Sequence, residues 1–301
     1  MKYGWAHQQN YIKKMKSNKF LEYGLIYPEG IGSELVLNVG SPKNQHSNNF
    51  YWLKSEKFYS VFKKGFLIIK DETYKKLKEN NDLNENINHL ITNDSPRYIF
   101  AKIVTENFSH LGLVYGNEVS YYKEKYKQDV TIGENVYIGK DVVIGKGTKI
   151  YNNTVIHNNT FIGERCVIKE NCVIGSEGMG YEFNDDKWFK FPQIGKTVIG
   201  NDVEINTFCD IKRGALEDTT IGNGCKIGSF CNIGHNVKMD ENCLLTSHCV
   251  IAGSAKIGPR FWMGINSSIK NGVTIGSDVT LGANSFIRVD VGNSEVVKNI
   301  N

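Results

Sequence analysis

No stretch of the 301 residues approaches the roughly 18 consecutive apolar residues of a membrane-spanning helix, and residues 1–10 hold no apolar core of a secretory signal. The expectation is a cytoplasmic protein without a membrane span. Dense Lys/Arg blocks with interleaved aromatics are missing too, and the net charge is only +4, so nucleic acid is not an expected partner. There is no HxH or HxxxH pair and no Asp/Glu cluster, so no metal is expected. The cysteines number seven, an odd count, and match no zinc spacing. They read as reduced, inert thiols.

Two kinds of sequence are present. Residues 1–117 are not repetitive. Short apolar runs at 34–38 and 65–69 predict strands, residues 71–79 a short polar helix, and Ser95-Pro96 a helix start with serine as cap and proline at the first helical position. Beyond it, Ile99, Phe100, Ile103, Val104 and Phe108 form a stripe at helical spacing. This mixture is a small α/β domain. Its aromatic cluster, Phe50, Tyr51, Trp52, Phe58, Tyr59 and Phe62, reads equally as core packing or as a partly exposed platform for stacking a base. Residues 118–128 read as a polar, aromatic connector opening the second domain, 118–301.

From Ile132 a large apolar residue falls at every sixth position: Ile138, Ile144, Ile150, Ile156, Ile162, Ile168 and Ile174 follow. The period resumes at Ile199, Ile205 and Ile211, slips by four residues at 214–217, and runs from Ile221 through Ile233 and Ile251 to Ile287. Twenty-three such positions are all Ile, Leu or Met. A period of six fits neither a heptad nor a hairpin array. It is the hexapeptide repeat of a parallel β-helix, in which three hexads make one triangular coil and residues 18 apart stack. The fold class is thus mainly β, a left-handed parallel β-helix preceded by a small α/β domain. Each cysteine (Cys166, Cys172, Cys209, Cys225, Cys231, Cys243, Cys249) stands two residues before a large repeat residue, in the small inward slot. The interruption at 176–194 has no period and must loop out of the stack, because the repeat resumes in register after it.

His235, two residues past Ile233, falls at a turn. Adding 18 gives Gly253, and another 18 gives Asn271. An imidazole with a backbone N–H one coil away is the pairing that acyl transfer wants, a base for a proton and a donor for an oxyanion. A solvated surface histidine is the plainer reading of the same spacing. His248 falls on a different edge, from which only a neighbouring subunit would bring it to His235.

In order and spacing, Asp94-Ser95-Pro96-Arg97, Gly178-Met179-Gly180-Tyr181, Pro192-Gln193-Ile194-Gly195, Arg213-Gly214-Ala215-Leu216, Ile233-Gly234-His235-Asn236-Val237 and Ala252-Gly253-Ser254 resemble the UDP-3-O-acylglucosamine N-acyltransferase family of lipid A synthesis. The resemblance implies a homotrimer with sites between neighbouring prisms, His235 as general base and the Gly253 amide as oxyanion donor. It also implies that Trp52 and Phe58 hold the nucleotide base, with Tyr181, Asn232, Asn236 and His248 among the nucleotide-sugar contacts. Ser55 stands where the family has Asn near uracil, which opens thymidine beside uridine. Lys212 stands where the family usually has Asp, and Val273 replaces a second family histidine. The chain ends at Asn301, where the lipid A enzymes continue into helices that engage acyl carrier protein. A coenzyme A thioester is therefore the expected donor, its phosphates met by Lys270 and Arg288 beside Asn271.

The expectation is an enzyme with no permanently bound cofactor. It transfers an acyl group from coenzyme A to the amine of a dTDP- or UDP-linked amino sugar in surface-glycan biosynthesis. The lipid A reaction with an acyl carrier protein donor is the alternative, and a non-catalytic hexapeptide binding protein the second alternative.

Overall fold

The computed structural model describes residues 12–16, 19–26, 34–39, 45–126 and 129–298. It divides into two compact units, residues 1–109 with 180–192, and residues 110–179 with 193–301.

The first unit is built on a five-stranded sheet in chain order, β1 (Ile12–Lys16), β2 (Glu34–Val39), β3 (Asn49–Trp52), β4 (Gly65–Lys70) and β5 (Ile87–Thr92). β1 runs antiparallel to β2 and the other neighbours are parallel. Among the described residues three α-helices accompany it, α1 (Lys19–Glu22), α2 (Asp71–Glu79) and α3 (Pro96–Phe108). Ser95 caps α3 by accepting from Tyr98 N–H at 3.3 Å, and Pro96 follows where its missing N–H costs nothing.

Alternation along β3 splits the aromatic cluster between the two faces of the sheet. Phe50 meets Phe100 and Phe108 of α3, with centroids at 4.8 and 6.1 Å, whereas Tyr51 meets Phe62 at 5.5 Å. Phe50, Tyr51, Tyr59 and Phe62 are buried and serve as core. Of the six, Trp52 is half-buried and Phe58 is exposed. Beneath them Tyr59 Oη accepts from Asn84 N–H at 2.9 Å and lies 2.8 Å from Nε2 of buried His89. Burial pushes the His89 imidazole down to about 4, so the ring is neutral near pH 7.

The ejected loop contributes an antiparallel hairpin, Tyr181–Asn184 against Lys187–Lys190, to this first unit. Glu182 accepts from Ser95 Oγ at 3.0 Å and pairs with Arg97, whose guanidinium also donates to the Tyr181 carbonyl at 3.0 Å. Phe191 stacks on Phe100 at 6.0 Å with 14° between the rings, and Arg97 lies 4.5 Å above Phe191.

The second unit opens with α4 (Val119–Lys125), where the sequence suggests only a connector. Val119, Tyr122 and Tyr126 share one helical face and cap the first coil. Tyr122 is buried and its hydroxyl accepts from Val142 N–H at 2.9 Å. Behind it, two- to four-residue strands stack into three parallel sheets forming the sides of a left-handed parallel β-helix. The repeat residues align coil on coil: Ile233 pairs below with Ile211 and above with Ile251. The 22 residues between Ile211 and Ile233, four more than a coil, are the slip. All seven cysteines are free and buried in the inward slot. No helix among the described residues is long and apolar enough to cross a membrane.

The turns carry residues in the left-handed backbone region, which favours Asn, Asp and Gly. Along one edge these are Asn135, Asn153 and Asn171, then Phe208 and Phe230 with φ of 60°, then His248, Asn266 and Asn284. Phenylalanine there is an outlier by type. The two rings stack at 5.0 Å and 4°, and His248 continues the stack at 4.9 Å and 6°. Both phenylalanines are about half exposed, at 52% and 50%.

Candidate active site

The register that aligns Ile233 with Ile251 sets His235 below Gly253 on the next edge of the prism. Gly234 N–H donates to the Ile251 carbonyl at 2.8 Å and Ser254 N–H to the His235 carbonyl at 2.8 Å, so both turns are pinned on either side of the pair. The imidazole lies over the Gly253 α-carbon. A β-carbon on Gly253 would fall 2.5 Å from Cε1, 2.8 Å from Nδ1 and 2.9 Å from Nε2, nearer than any real β-carbon contact allows. The Gly253 N–H donates to no protein acceptor among the described residues.

Gly178, at the root of the ejected loop, approaches the same ring. Its β-carbon would lie 2.8 Å from both Cβ and Nδ1 of His235. Sequence spacing offers no sign of this, because the loop has no period. The slip also bears on the site. Gly214 tolerates no side chain, since a β-carbon would fall 1.5 Å from the Glu217 carbonyl oxygen. Asn236 follows the histidine with φ of 60°; its Oδ1 accepts from Ala215 N–H at 2.7 Å, while its own N–H donates to Thr219 Oγ1 at 2.9 Å. The side chain expected among the sugar contacts thus holds the slip in place.

Deeper in the slip, Arg213 is only 1% exposed and spends its guanidinium on the Gly195 carbonyl at 2.9 Å, Asn158 Oδ1 at 3.3 Å and the Leu111 carbonyl at 3.4 Å. His157, which looks like a surface turn residue in sequence, is buried against Tyr115 and Tyr137, with ring centroids at 6.2 and 5.8 Å. Burial first and the Arg213 charge second hold its pKa below the usual histidine range.

Asn232 faces outward from the strand preceding His235 and is half-buried. Its register partner one coil below is Asp210, which accepts from Ser176 Oγ at 2.5 Å and pairs with Lys212 at 2.5 Å. Asp210 escapes a reading based on 18-residue steps, because the slip puts it 22 residues away. On the His235 edge, Lys270, Asn271 and Arg288 are exposed, and the pairing of Ile269 with Ile287 stacks Lys270 beneath Arg288. His248 lies on the other edge, in the aromatic stack.

The remaining expected contacts belong to the first unit. Trp52 packs beside Phe100 at 4.7 Å and Phe191 at 5.5 Å. Phe58 is 43% exposed, with Lys57 Nζ 5.1 Å from its ring centroid. Ser55 is exposed and its carbonyl accepts from Phe58 N–H at 2.9 Å. Tyr181, on the hairpin, is 41% exposed.

The model of the bacterial transferase hexapeptide matches residues 127–158 and 218–253, and the hexapeptide repeat of succinyl-transferase matches 255–289 and 272–298. A UDP-3-O-acylglucosamine N-acyltransferase of Dechloromonas aromatica is 49% identical over 81 residues, 27% of this chain and 23% of that protein. One from Neisseria meningitidis serogroup B is 44% identical over the same length, with the same shares of both chains. The chain thus aligns with less than a quarter of the length of these curated relatives. Among solved structures, a UDP-N-acetylglucosamine acyltransferase of Francisella novicida superposes with a TM-score of 0.51 at 23% identity, covering 58% of this chain and 62% of that one, a likeness of fold.

Proposed function

Taking the coils as transferase hexapeptide repeats, we propose that the protein is an N-acyltransferase acting on a nucleotide-linked amino sugar. The observation that carries the reading is the imidazole of His235 lying over Gly253, whose N–H has no other acceptor among the described residues. The sugar amine attacks the carbonyl carbon of a thioester and His235 takes the amine proton. The Gly253 N–H receives the developing oxyanion. Collapse of the tetrahedral adduct breaks the C–S bond, and the thiolate leaves with a proton as the amide forms. A base of this kind contributes about 10²–10⁴-fold and one oxyanion donor about 3 kcal/mol.

The names of the relatives support the lipid A type of reaction, in which the acceptor is a UDP-linked acylglucosamine. This takes precedence over the version expected from sequence, with a coenzyme A donor and a dTDP- or UDP-linked amino sugar, which stays as the second reading because Lys270 and Arg288 are exposed cations on successive coils of the His235 edge. Half-buried Trp52 and the exposed aromatics Phe58 and Tyr181 are offered as nucleotide contacts. A homotrimer is supported by the exposed stack of Phe208, Phe230 and His248, an apolar edge that a second copy would cover. Seven buried free thiols fit a reducing cytoplasm.

The test is a matrix of donors and acceptors: acyl carrier protein and coenzyme A thioesters against UDP- and dTDP-linked amino sugars, with amide and free thiol quantified. One productive pair supports the reading and identifies the donor. Ligand-induced thermal stabilisation with no amide from any pair would instead favour a binding protein.

A further inference from the structure

We propose that Gly178 is a positioning residue for the base, so that the root of the ejected loop decides where the His235 imidazole sits. The inference rests on His235 being the base and adds a second wall to its site. On the coil, Gly253 is a neighbour of fixed position, whose β-carbon would meet Cε1, Nδ1 and Nε2 at 2.5–2.9 Å. Those are the outer atoms of the ring. Gly178 meets the inner part, with its β-carbon 2.8 Å from Cβ and Nδ1 and 2.9 Å from Cγ. Two backbones from two directions therefore restrict the imidazole, and neither position accepts a methyl group while the ring stays in place.

Gly178 is not there for backbone freedom. It is absent from the glycines with positive φ, whereas Gly175, three residues earlier, has φ of 86°. An alanine at 178 is compatible with the backbone, and the three atoms nearest its β-carbon all belong to His235. Gly178 is buried, while Met179 beside it is 87% exposed, so the loop turns inward at this glycine and outward at once. A loop that serves only as a cover has no need to seat a buried glycine on an imidazole. Acyl transfer does need a base held to within about 0.5 Å of its productive geometry.

A double-mutant cycle tests this without relying on activity. Gly178→Ala should lower the unfolding temperature when His235 is present, and should have little effect in a His235→Gly background, where the ring and its β-carbon are both gone. Equal destabilisation in both backgrounds would show that the ring is not what Gly178 accommodates, and would overturn the proposal. In kinetics, Gly178→Ala should lower kcat by about 10–100-fold with KM for both substrates within about twofold, as expected for a displaced base. A kcat unchanged by Gly178→Ala, in a protein that loses activity on His235→Ala, would refute the positioning role and leave the base assignment standing.

Discussion

His235 lies so close over Gly253 that a β-carbon on the glycine would be 2.5 Å from Cε1 of the ring. The contact follows from repeat arithmetic, since the two residues are 18 apart and the strands before them are in register. Gly253→Ala keeps the backbone N–H but drives the ring out of place. We predict a loss of turnover of about a hundredfold, with a stability cost of about 1–3 kcal/mol from overpacking. Steady-state kinetics and chemical denaturation on the same variant measure both.

Asn236 carries a second prediction, because its side chain accepts from Ala215 N–H at 2.7 Å. Asn236→Ala strands that buried donor and removes a residue suited to φ of 60°. The expected loss is about 1–3 kcal/mol in denaturant unfolding. KM for the nucleotide sugar should change less than threefold if the slip is its main task; a large KM effect at unchanged stability would support the sugar-contact role.

The aromatic edge makes a prediction about assembly. Phe208 and Phe230 occupy backbone positions that suit asparagine, and both rings are half exposed. Phe230→Asn relieves the backbone and removes the middle ring of the stack. Light scattering should report loss of the trimer at micromolar concentration, with the circular dichroism of the coils retained. An unchanged mass would show that the proposed trimer does not use this edge.

His89 governs how the first unit responds to acid. Its folded pKa is held down to about 4 by burial, against about 6.5 in the unfolded chain. Between these values the unfolded state binds the extra proton. The contribution is therefore intact above pH 6.5, falls as pH drops toward 4, and amounts to at most about 3 kcal/mol. His89→Gln, whose amide can still hydrogen-bond Tyr59, should flatten the stability profile over that window. A profile as steep as wild type would exclude His89 as its cause.

The repeat unit was open to sequence reasoning because every hexad restates it: Ile233 alone says little, but its phase with Ile227 and Ile251 sets its neighbours. The same phase puts the seven cysteines inside and His235 beside Gly253. Features outside the period were hidden. The contact of Gly178 with the imidazole comes from a loop that no spacing rule reaches. Asp210 is displaced by the slip, and His157 is buried in part by Tyr115, which belongs to no repeat. The helix at Val119–Lys125 was legible in principle, since Val119, Tyr122 and Tyr126 have helical spacing, but its polar surroundings mask the stripe. The stack of Phe208, Phe230 and His248 was legible too, once the 22- and 18-residue steps are followed.

The central claim is that His235 is the base. The most direct measurement is turnover of His235→Ala with the productive thioester and amino-sugar pair, beside its unfolding curve and its mass in solution. We predict turnover at least a hundredfold below wild type, with fold and assembly unchanged. Turnover near wild type in that folded variant would contradict the account.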